Sequence, residues 1–219
     1  MQRTQYEKIE NYMHSCAGDS AHDKEHIYRV LHHALEIAKT EEHVDYDVLI
    51  TACLLHDIGR PEQFADPSLC HAVVGSEKAA RFLASLGLEQ DFILKVCHCI
   101  RTHRFTNRQT PESLEAKILF DADKLDVVGA LGIARTLQFQ GKHNFPLYEL
   151  QEDGSIELEQ GRSFFQEYHR KLTKLYDGFL TREGHRLAQQ QQVAAQAFYD
   201  ALYQQISLGD SDLSAWVEE

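Results

Sequence analysis

The sequence has little proline, no long apolar run and no excess of positive charge. Only four prolines interrupt 219 residues, and the long segments between them favour helix over strand. No apolar run approaches the length that crosses a bilayer. The N-terminal segment MQRTQYEKIENYMHS lacks the apolar core of a signal peptide. We therefore expect a cytoplasmic protein with no membrane partner.

The cysteine count and the charge balance exclude further classes of protein. Five cysteines form no paired framework, and an odd number is typical of free thiols in a reducing compartment. The pair Cys97 and Cys99 is spaced C-x-C, which separates the two sulfurs on a helix and argues against a zinc site. The formal net charge of −12 argues against binding to a nucleic-acid duplex or an anionic membrane. A small phosphorylated partner is compatible with it, because a metal ion and a few local basic residues reverse the sign within one pocket.

Hydrophobic spacing predicts an all-α chain. The first two expected helices cover residues 4–15 and a segment from Asp19 or Ser20 to about Thr40. Asp45 or Asp47 is expected to cap a third helix, which carries VLITACLLHDI and ends with Gly59 in the C′ position. Further helices are expected at 71–86, ended by Gly87, at 89–104, and from Pro111 to about Phe139. Residues 60–70 and 140–160 are expected to be loops, the second with a small hairpin at Asp153–Gly154. Two more helices are expected within 161–207, followed by a loosely held acidic tail of ten residues. This length builds one sizeable core, so a single domain over 1–219 is predicted, with its core at about 20–140.

Four polar side chains lie where the helix faces should be apolar. His56 and Asp57 directly follow CLL at the end of the most apolar helix, where such a pair is costly unless a partner satisfies both side chains. His26 lies at the edge of a buried helix face, and Asp123 points inward from its own helix. Two imidazoles and two carboxylates on three helices suit a divalent metal such as Mg, Mn, Fe, Co or Ni.

The order of these residues resembles the HD superfamily of metal-dependent phosphohydrolases. The segments HDKEHIYRV, LLHDIGR and ILFDADKLD carry the resemblance over about residues 20–140, and KLTKLYDGFLTREGHRLA resembles the tail of small uncharacterised bacterial HD proteins. Members of that family are helical bundles that hydrolyse phosphate esters, often of nucleotides, through a metal-activated water. The resemblance implies an HD-domain helical bundle with additional C-terminal helices. It assigns the metal ligands as His26, His56, Asp57 and Asp123, with His26 preferred to His22 because the family ligand precedes the valine by four residues.

Dinuclear branches of the family add two histidines between the His-Asp doublet and the last aspartate. His71 opens HAVVG, which resembles the H-P-x-x-G segment of those branches with alanine in place of proline. His103 shares a helical stripe with Val96 and Ile100, whereas His98 points to the opposite side, so His103 is the predicted partner of His71. These two histidines either complete a second metal site or bind substrate phosphate in an enzyme with one ion.

Charged residues near the ligands predict how a phosphorylated substrate is held. Arg60 follows HDIG, where dinuclear relatives carry a phosphate-contacting lysine, and a guanidinium can grip two phosphate oxygens. Asp126 lies one helical turn beyond Asp123 and would orient a ligand or the attacking water. The predicted catalytic residues are Asp57, Arg60, Lys124 and Asp126. The predicted substrate contacts are Arg60, His71, His103, Arg104 and Lys124, with Arg101 nearby.

Two other functions compete with the phosphohydrolase interpretation. Some HD-fold relatives use a six-ligand site for di-iron oxygenase chemistry, but the arginines near the ligands favour phosphate. A catalytically inactive nucleotide-binding sensor is the second alternative, and the intact ligand set argues against it. For Asp121 and Asp126 the structural alternative is a charged helix face.

Overall fold

A computed structural model describes residues 1–16, 21–104 and 109–207, and of residues 21–23 it describes only the backbone. The described chain is all-α, as predicted. Its α-helices are α1 (Arg3–Cys16), α2 (Ala21–Ala38), α3 (Tyr46–Leu55), α4 (Arg60–Ala65), α5 (His71–Ser85), α6 (Gln90–Thr102), α7 (Leu114–Leu125), α8 (Gly129–Lys142), α9 (Phe164–Glu167) and α10 (Arg182–Ser207). A π-helical turn at Tyr168–Leu172 and a 3-10 segment at Thr173–Gly178 follow α9.

The chain divides into two compact units. The first consists of Met1–Asp126 and Phe179–His185, and the second of Val127–Gly178 and the chain from Arg186 onward. In the first unit α5 packs on α6, α2 packs on α7, and the nearly all-apolar α3 contacts α2, α6 and α7. The single domain over 1–219 stays a prediction. Within the described ranges, no helix is long and apolar enough to cross a bilayer.

The end of α3 differs from the prediction. Asp45 caps the helix, accepting a hydrogen bond from Val48 N at 3.1 Å, but the helix ends at Leu55. His56 and Asp57 therefore lie in the turn that follows. The prediction that Gly59 occupies a C′ position is wrong, because its φ of −93° is not left-handed and it instead precedes α4.

Two further helix boundaries were predicted wrongly. Residues 60–70 do not form only a loop, because Arg60–Ala65 is a short helix that carries its proline in the first turn, where the missing N–H costs nothing. The expected single helix from Pro111 to Phe139 is two helices, α7 and α8. Ser113 caps α7, which ends at Leu125, and Gly129, the first residue of α8, has the left-handed φ of +66° that interrupts a continuous helix.

The remaining predictions concern turns and the C-terminal part of the chain. Gly87 ends the α5 segment with φ +72°, and the predicted small hairpin is present as one antiparallel bridge between Leu150 and Ile156 around Gly154. The C-terminal part holds one long helix, α10, while the segment before it is the short α9 with its π and 3-10 continuation. The predicted caps at Asp19 or Ser20 and the predicted loose tail lie outside the described residues.

Candidate metal centre

The first ligand group consists of His26 on α2, His56 after α3, Asp123 on α7 and one oxygen of Asp57. His26 Nε2 lies 3.3 Å from His56 Nε2 and 3.2 Å from Asp123 Oδ1, and His56 Nε2 lies 3.8 Å from Asp123 Oδ1. Asp57 Oδ2 is 3.6 Å from each imidazole nitrogen. Ligand atoms bound at about 2.1 Å to one metal ion are separated by about 3.0 to 4.2 Å, depending on the angle between them. The observed distances fall within that range.

The second ligand group consists of His71, which begins α5, His103, which follows α6, and the other oxygen of Asp57. His71 Nε2 lies 3.3 Å from His103 Nε2. Asp57 Oδ1 lies 3.4 Å from His71 Nε2 and 3.7 Å from His103 Nε2. Asp57 therefore turns one carboxylate oxygen toward each group and joins them.

Backbone carbonyls determine which nitrogen of His56 and His103 carries the proton. His56 Nδ1 lies 2.7 Å from Cys53 O, and His103 Nδ1 lies 2.6 Å from Ile100 O. A carbonyl oxygen can only accept, so Nδ1 donates in both rings. The Nε2 atom of each neutral ring is then a bare acceptor that faces the ligand group.

Side chains determine the same arrangement for the other two histidines. His26 Nδ1 lies 2.7 Å from Asp126 Oδ2, and His71 Nδ1 lies 2.7 Å from Gln63 Oε1. Four Nε2 atoms thus meet in two pairs, and two nitrogen lone pairs 3.3 Å apart need a proton or a cation between them.

A buried carboxylate oxygen leads to the same conclusion. Asp57 Oδ1 is buried without a hydrogen-bond partner in the described chain. Arg60 Nε lies 3.0 Å from it as an ion pair. Nitrogen and oxygen donors in this number fit a divalent ion of hard or borderline character.

The electrostatics of the first group favour a neutral His56 and a protonated His26 beside ionised carboxylates. Burial lowers the pKa of His56 to about 4. Burial also lowers the pKa of His26, but hydrogen bonds with Asp123 and Asp126 outweigh it and raise that pKa to about 9. Burial raises the pKa of Asp123, and the hydrogen bond from His26 outweighs it, so the pKa lies below its usual range. A metal ion entering this group must displace the proton of His26.

Gly59 lets the ligand-bearing turn approach the backbone of α5. A Cβ atom on Gly59 would lie 2.3 Å from His71 O and 2.6 Å from Gly75 N. A Cβ atom added to Gly75 would lie 3.4 Å from His56 O, which is an ordinary van der Waals distance. The two backbones can therefore approach this closely only because residue 59 has no side chain. This contact places Asp57 next to His71 although the two are fourteen positions apart.

Asp121 and Asp126 are both fully buried, so the interpretation of these carboxylates as a charged helix face is wrong. Asp126 accepts from Arg29 Nη2 at 3.0 Å as well as from His26. Asp121 accepts from the backbone N of Thr181 at 2.7 Å and from its hydroxyl at 2.6 Å. Asp126 supports the first ligand group through His26, and Asp121 anchors the start of α10.

The predicted phosphate contacts are only partly oriented toward the ligand groups. Arg60 pairs with Asp57 at 3.0 Å. Lys124 is buried, with its Nζ 4.1 Å from the centre of the Phe120 ring and 5.0 Å from that of Phe179. Burial lowers the pKa of Lys124 to about 8. The catalytic and substrate-binding roles of both residues stay predictions.

Other predicted residues lie around the second group or outside it. Arg104 Nη1 lies 3.7 Å from the sulfur of Cys70, which directly precedes the first residue of α5. His98 Nε2 accepts from Glu112 N at 3.3 Å, on the other face of α6 from the ligand groups. The side chain of His22 lies outside the described residues.

Two residues of the site were not predicted from the sequence. Arg29 lies one helical turn after His26 in HIYRV, so the i, i+3 spacing was a usable signal for a shared partner. Gln63 lies in RPEQF, a segment with a proline that was interpreted as loop, and nothing in its neighbours marks it as a partner of His71.

Comparison with known proteins agrees with this geometry. A family model described as HD domain matches residues 24–128. An uncharacterized protein of Bacillus subtilis strain 168, YpgQ, is 30% identical over 193 residues, which cover 85% of this chain and 86% of YpgQ.

Solved structures with the same fold include relatives from two sources. The crystal structure of YpgQ in complex with ADP has a TM-score of 0.70 and 27% identity, covering 92% of this chain and 97% of that one. A predicted HD superfamily hydrolase from an uncultured Thermotogales bacterium has a TM-score of 0.63 and 27% identity, with 91% of each chain covered. The chain belongs to the HD domain family and has the fold of HD-superfamily hydrolases.

Proposed function

We propose that this protein is a divalent-metal-dependent phosphohydrolase that acts on a small phosphorylated substrate, in particular a nucleotide. The observation that carries the proposal is the division of the Asp57 carboxylate between two pairs of facing imidazole nitrogens. A carboxylate that bridges two groups of nitrogen and oxygen donors is the arrangement of two-metal hydrolytic sites. The proposal therefore includes two ions, with Mn, Mg, Fe, Co or Ni as candidates.

The protein contributes ligands that are held before any ion arrives. Each of the four imidazoles is anchored through Nδ1, so little side-chain freedom is lost when Nε2 becomes a ligand. A metal ion bound here would polarise a phosphoryl oxygen and lower the pKa of a nearby water toward neutrality. Ionised Asp57 and Asp123 keep the centre negative enough to retain cations.

Basic residues near the second group supply contacts for phosphate. Arg60 lies against Asp57, so its guanidinium begins within reach of a phosphate at the metal centre. Arg104 is half-buried next to α5 and is the second candidate. These contacts matter more here than in a basic protein, because the formal net charge of −12 repels anions elsewhere on the chain.

The nucleotide part of the proposal is supported by a relative. YpgQ, which shares the fold over most of both chains, has been crystallised in complex with ADP. A nucleoside phosphate offers the charged oxygens that Arg60, Arg104 and two cations would bind.

Metal analysis followed by a phosphate-release screen tests the proposal. We expect close to two divalent ions per chain and release of phosphate or pyrophosphate from nucleotides in the presence of Mn. Asp57→Ala should lose both ions and activity while helical content is retained, whereas His98→Ala, with its histidine on the other face of α6, should keep both. Iron-bound, coloured and redox-active protein that releases no phosphate would support the oxygenase alternative instead. Failure to bind any metal would support the nucleotide sensor.

A further inference from the structure

One side-chain amide connects the second ligand group to the loop before α5. Gln63, on α4, accepts from His71 Nδ1 through Oε1 at 2.7 Å and donates from Nε2 to Leu69 O at 3.0 Å. The carbonyl of Leu69 can only accept, so the amide NH2 must face it and the amide oxygen is left for His71. The proton of His71 is thereby held on Nδ1, and its Nε2 is turned toward Asp57 and His103.

Glutamine satisfies both contacts where other side chains satisfy one or none. Glutamate has the same length but only accepts, so it keeps the contact with His71 and loses the donor to Leu69 O. Methionine has a similar length and offers neither contact. These differences separate orientation of the imidazole from closure of the loop. The loop also has its own turn, since Asp66 Oδ1 accepts from Ser68 N at 3.0 Å.

The two ligand groups are supported by different chemistry. His26 is backed by a buried carboxylate, Asp126, which Arg29 holds in place. His71 is backed by the neutral amide of Gln63. A carboxylate behind a histidine makes the ring a stronger ligand than an amide does.

We propose that Gln63 is a positioning residue for His71 and that its neutral amide makes the second ligand group the weaker of two cation positions. The proposal rests on the two-metal function proposed above and names the residue that controls one half of the site. Gln63 does not touch the substrate in this role, because it acts through the orientation of one imidazole.

Titration of Mn²⁺ into the metal-free full-length protein, followed by calorimetry and by the paramagnetic resonance of free Mn²⁺, tests this role. Wild type should bind in a stronger and a weaker step. Gln63→Met should weaken the second step by about 10- to 100-fold and leave the first unchanged. Gln63→Glu should strengthen the second step, because it places a carboxylate behind His71, and a step at wild-type strength would show that the neutral amide is not what makes this group the weaker one. Gln90→Met, at an exposed glutamine that begins α6, is the control and should match wild type.

The pattern across the variants decides between positioning and loop closure. Equal weakening by Gln63→Met and Gln63→Glu would show that closure of the loop is what matters, and it would overturn the proposal. An unchanged second step in Gln63→Met, or in Gln63→Ala if the methionine variant does not fold, would overturn it too, as would a single step in wild type. The titration needs no turnover. A wild type that binds two ions but hydrolyses nothing would therefore refute the phosphohydrolase function while the variants still decide the role of Gln63.

Discussion

Replacing Gly59 by alanine would place a methyl group between the ligand-bearing turn and α5. The new Cβ would lie 2.3 Å from His71 O, and reaching the 3.4 Å of ordinary contact requires the two backbones to separate by about 1.1 Å. If the separation is passed on to the side chains, the distance of 3.4 Å between His71 Nε2 and Asp57 Oδ1 grows to about 4.5 Å, beyond the roughly 4.2 Å that one ion can bridge. Gly59 has an ordinary negative φ, so the effect is steric and not conformational strain.

We expect Gly59→Ala to keep the stronger metal-binding step, to lose the weaker one and to reduce hydrolysis by about 100-fold, the effect typical of a 1 Å misplacement. Overpacking should also lower the free energy of unfolding by about 1–3 kcal/mol. Calorimetric titration with Mn²⁺ and urea unfolding measure the two effects. Gly141→Ala is the control, because a Cβ atom there meets nothing within 4 Å. Two wild-type binding steps in Gly59→Ala would refute the argument that this backbone contact assembles the second group.

Three other substitutions test separate parts of the site. Asp126→Asn removes the charge behind His26 and should weaken the stronger Mn²⁺ step by about 10- to 100-fold in the same titration; an unchanged step would contradict that support. Arg60→Ala should retain both ions but lower kcat/KM by about 10- to 100-fold, because a charge-assisted phosphate contact is worth about 1.5–3 kcal/mol. Arg60→Lys should recover part of this loss. Unchanged kinetics in Arg60→Ala would show that this guanidinium does not bind phosphate. Gly184→Ala places a Cβ atom 2.5 Å from Asp121 Oδ2 and should lower the free energy of unfolding by about 1–3 kcal/mol while leaving metal content unchanged; wild-type stability in urea would show that the carboxylate moves aside without cost.

The residues that meet at the centre were predictable because each carried a local signal. His56 and Asp57 directly follow an apolar helix, and Asp123 has inward spacing on α7. The choice of His103 over His98 rested on the apolar stripe of α6, and the structure places the first at the ligand groups and the second beside Glu112. The resemblance to the HD superfamily indicated that these residues belong to one metal site.

What the sequence did not reveal depends on contacts between distant parts of the chain. In the sequence, Gly59 is typical of a glycine that ends a helix. In the structure, glycine is required there because the backbone of α5 leaves no room for a side chain. Asp121 and Asp126 are five residues apart at the C-terminal end of α7, yet Asp121 anchors α10 and Asp126 accepts a hydrogen bond from His26. No sequence pattern identifies Gln63 as a site residue, because the path of the loop determines both of its hydrogen-bond partners.

The anchoring of the four imidazoles has a consequence for where protons can travel. Each Nδ1 hydrogen is already donated to a carbonyl, a carboxylate or an amide oxygen, and each Nε2 faces a ligand group. None of the four rings then has a nitrogen left to pass a proton to a departing group. In the proposed reaction the leaving oxygen must therefore be protonated by water or by another side chain. The histidines of this centre would bind cations and take no part in acid catalysis.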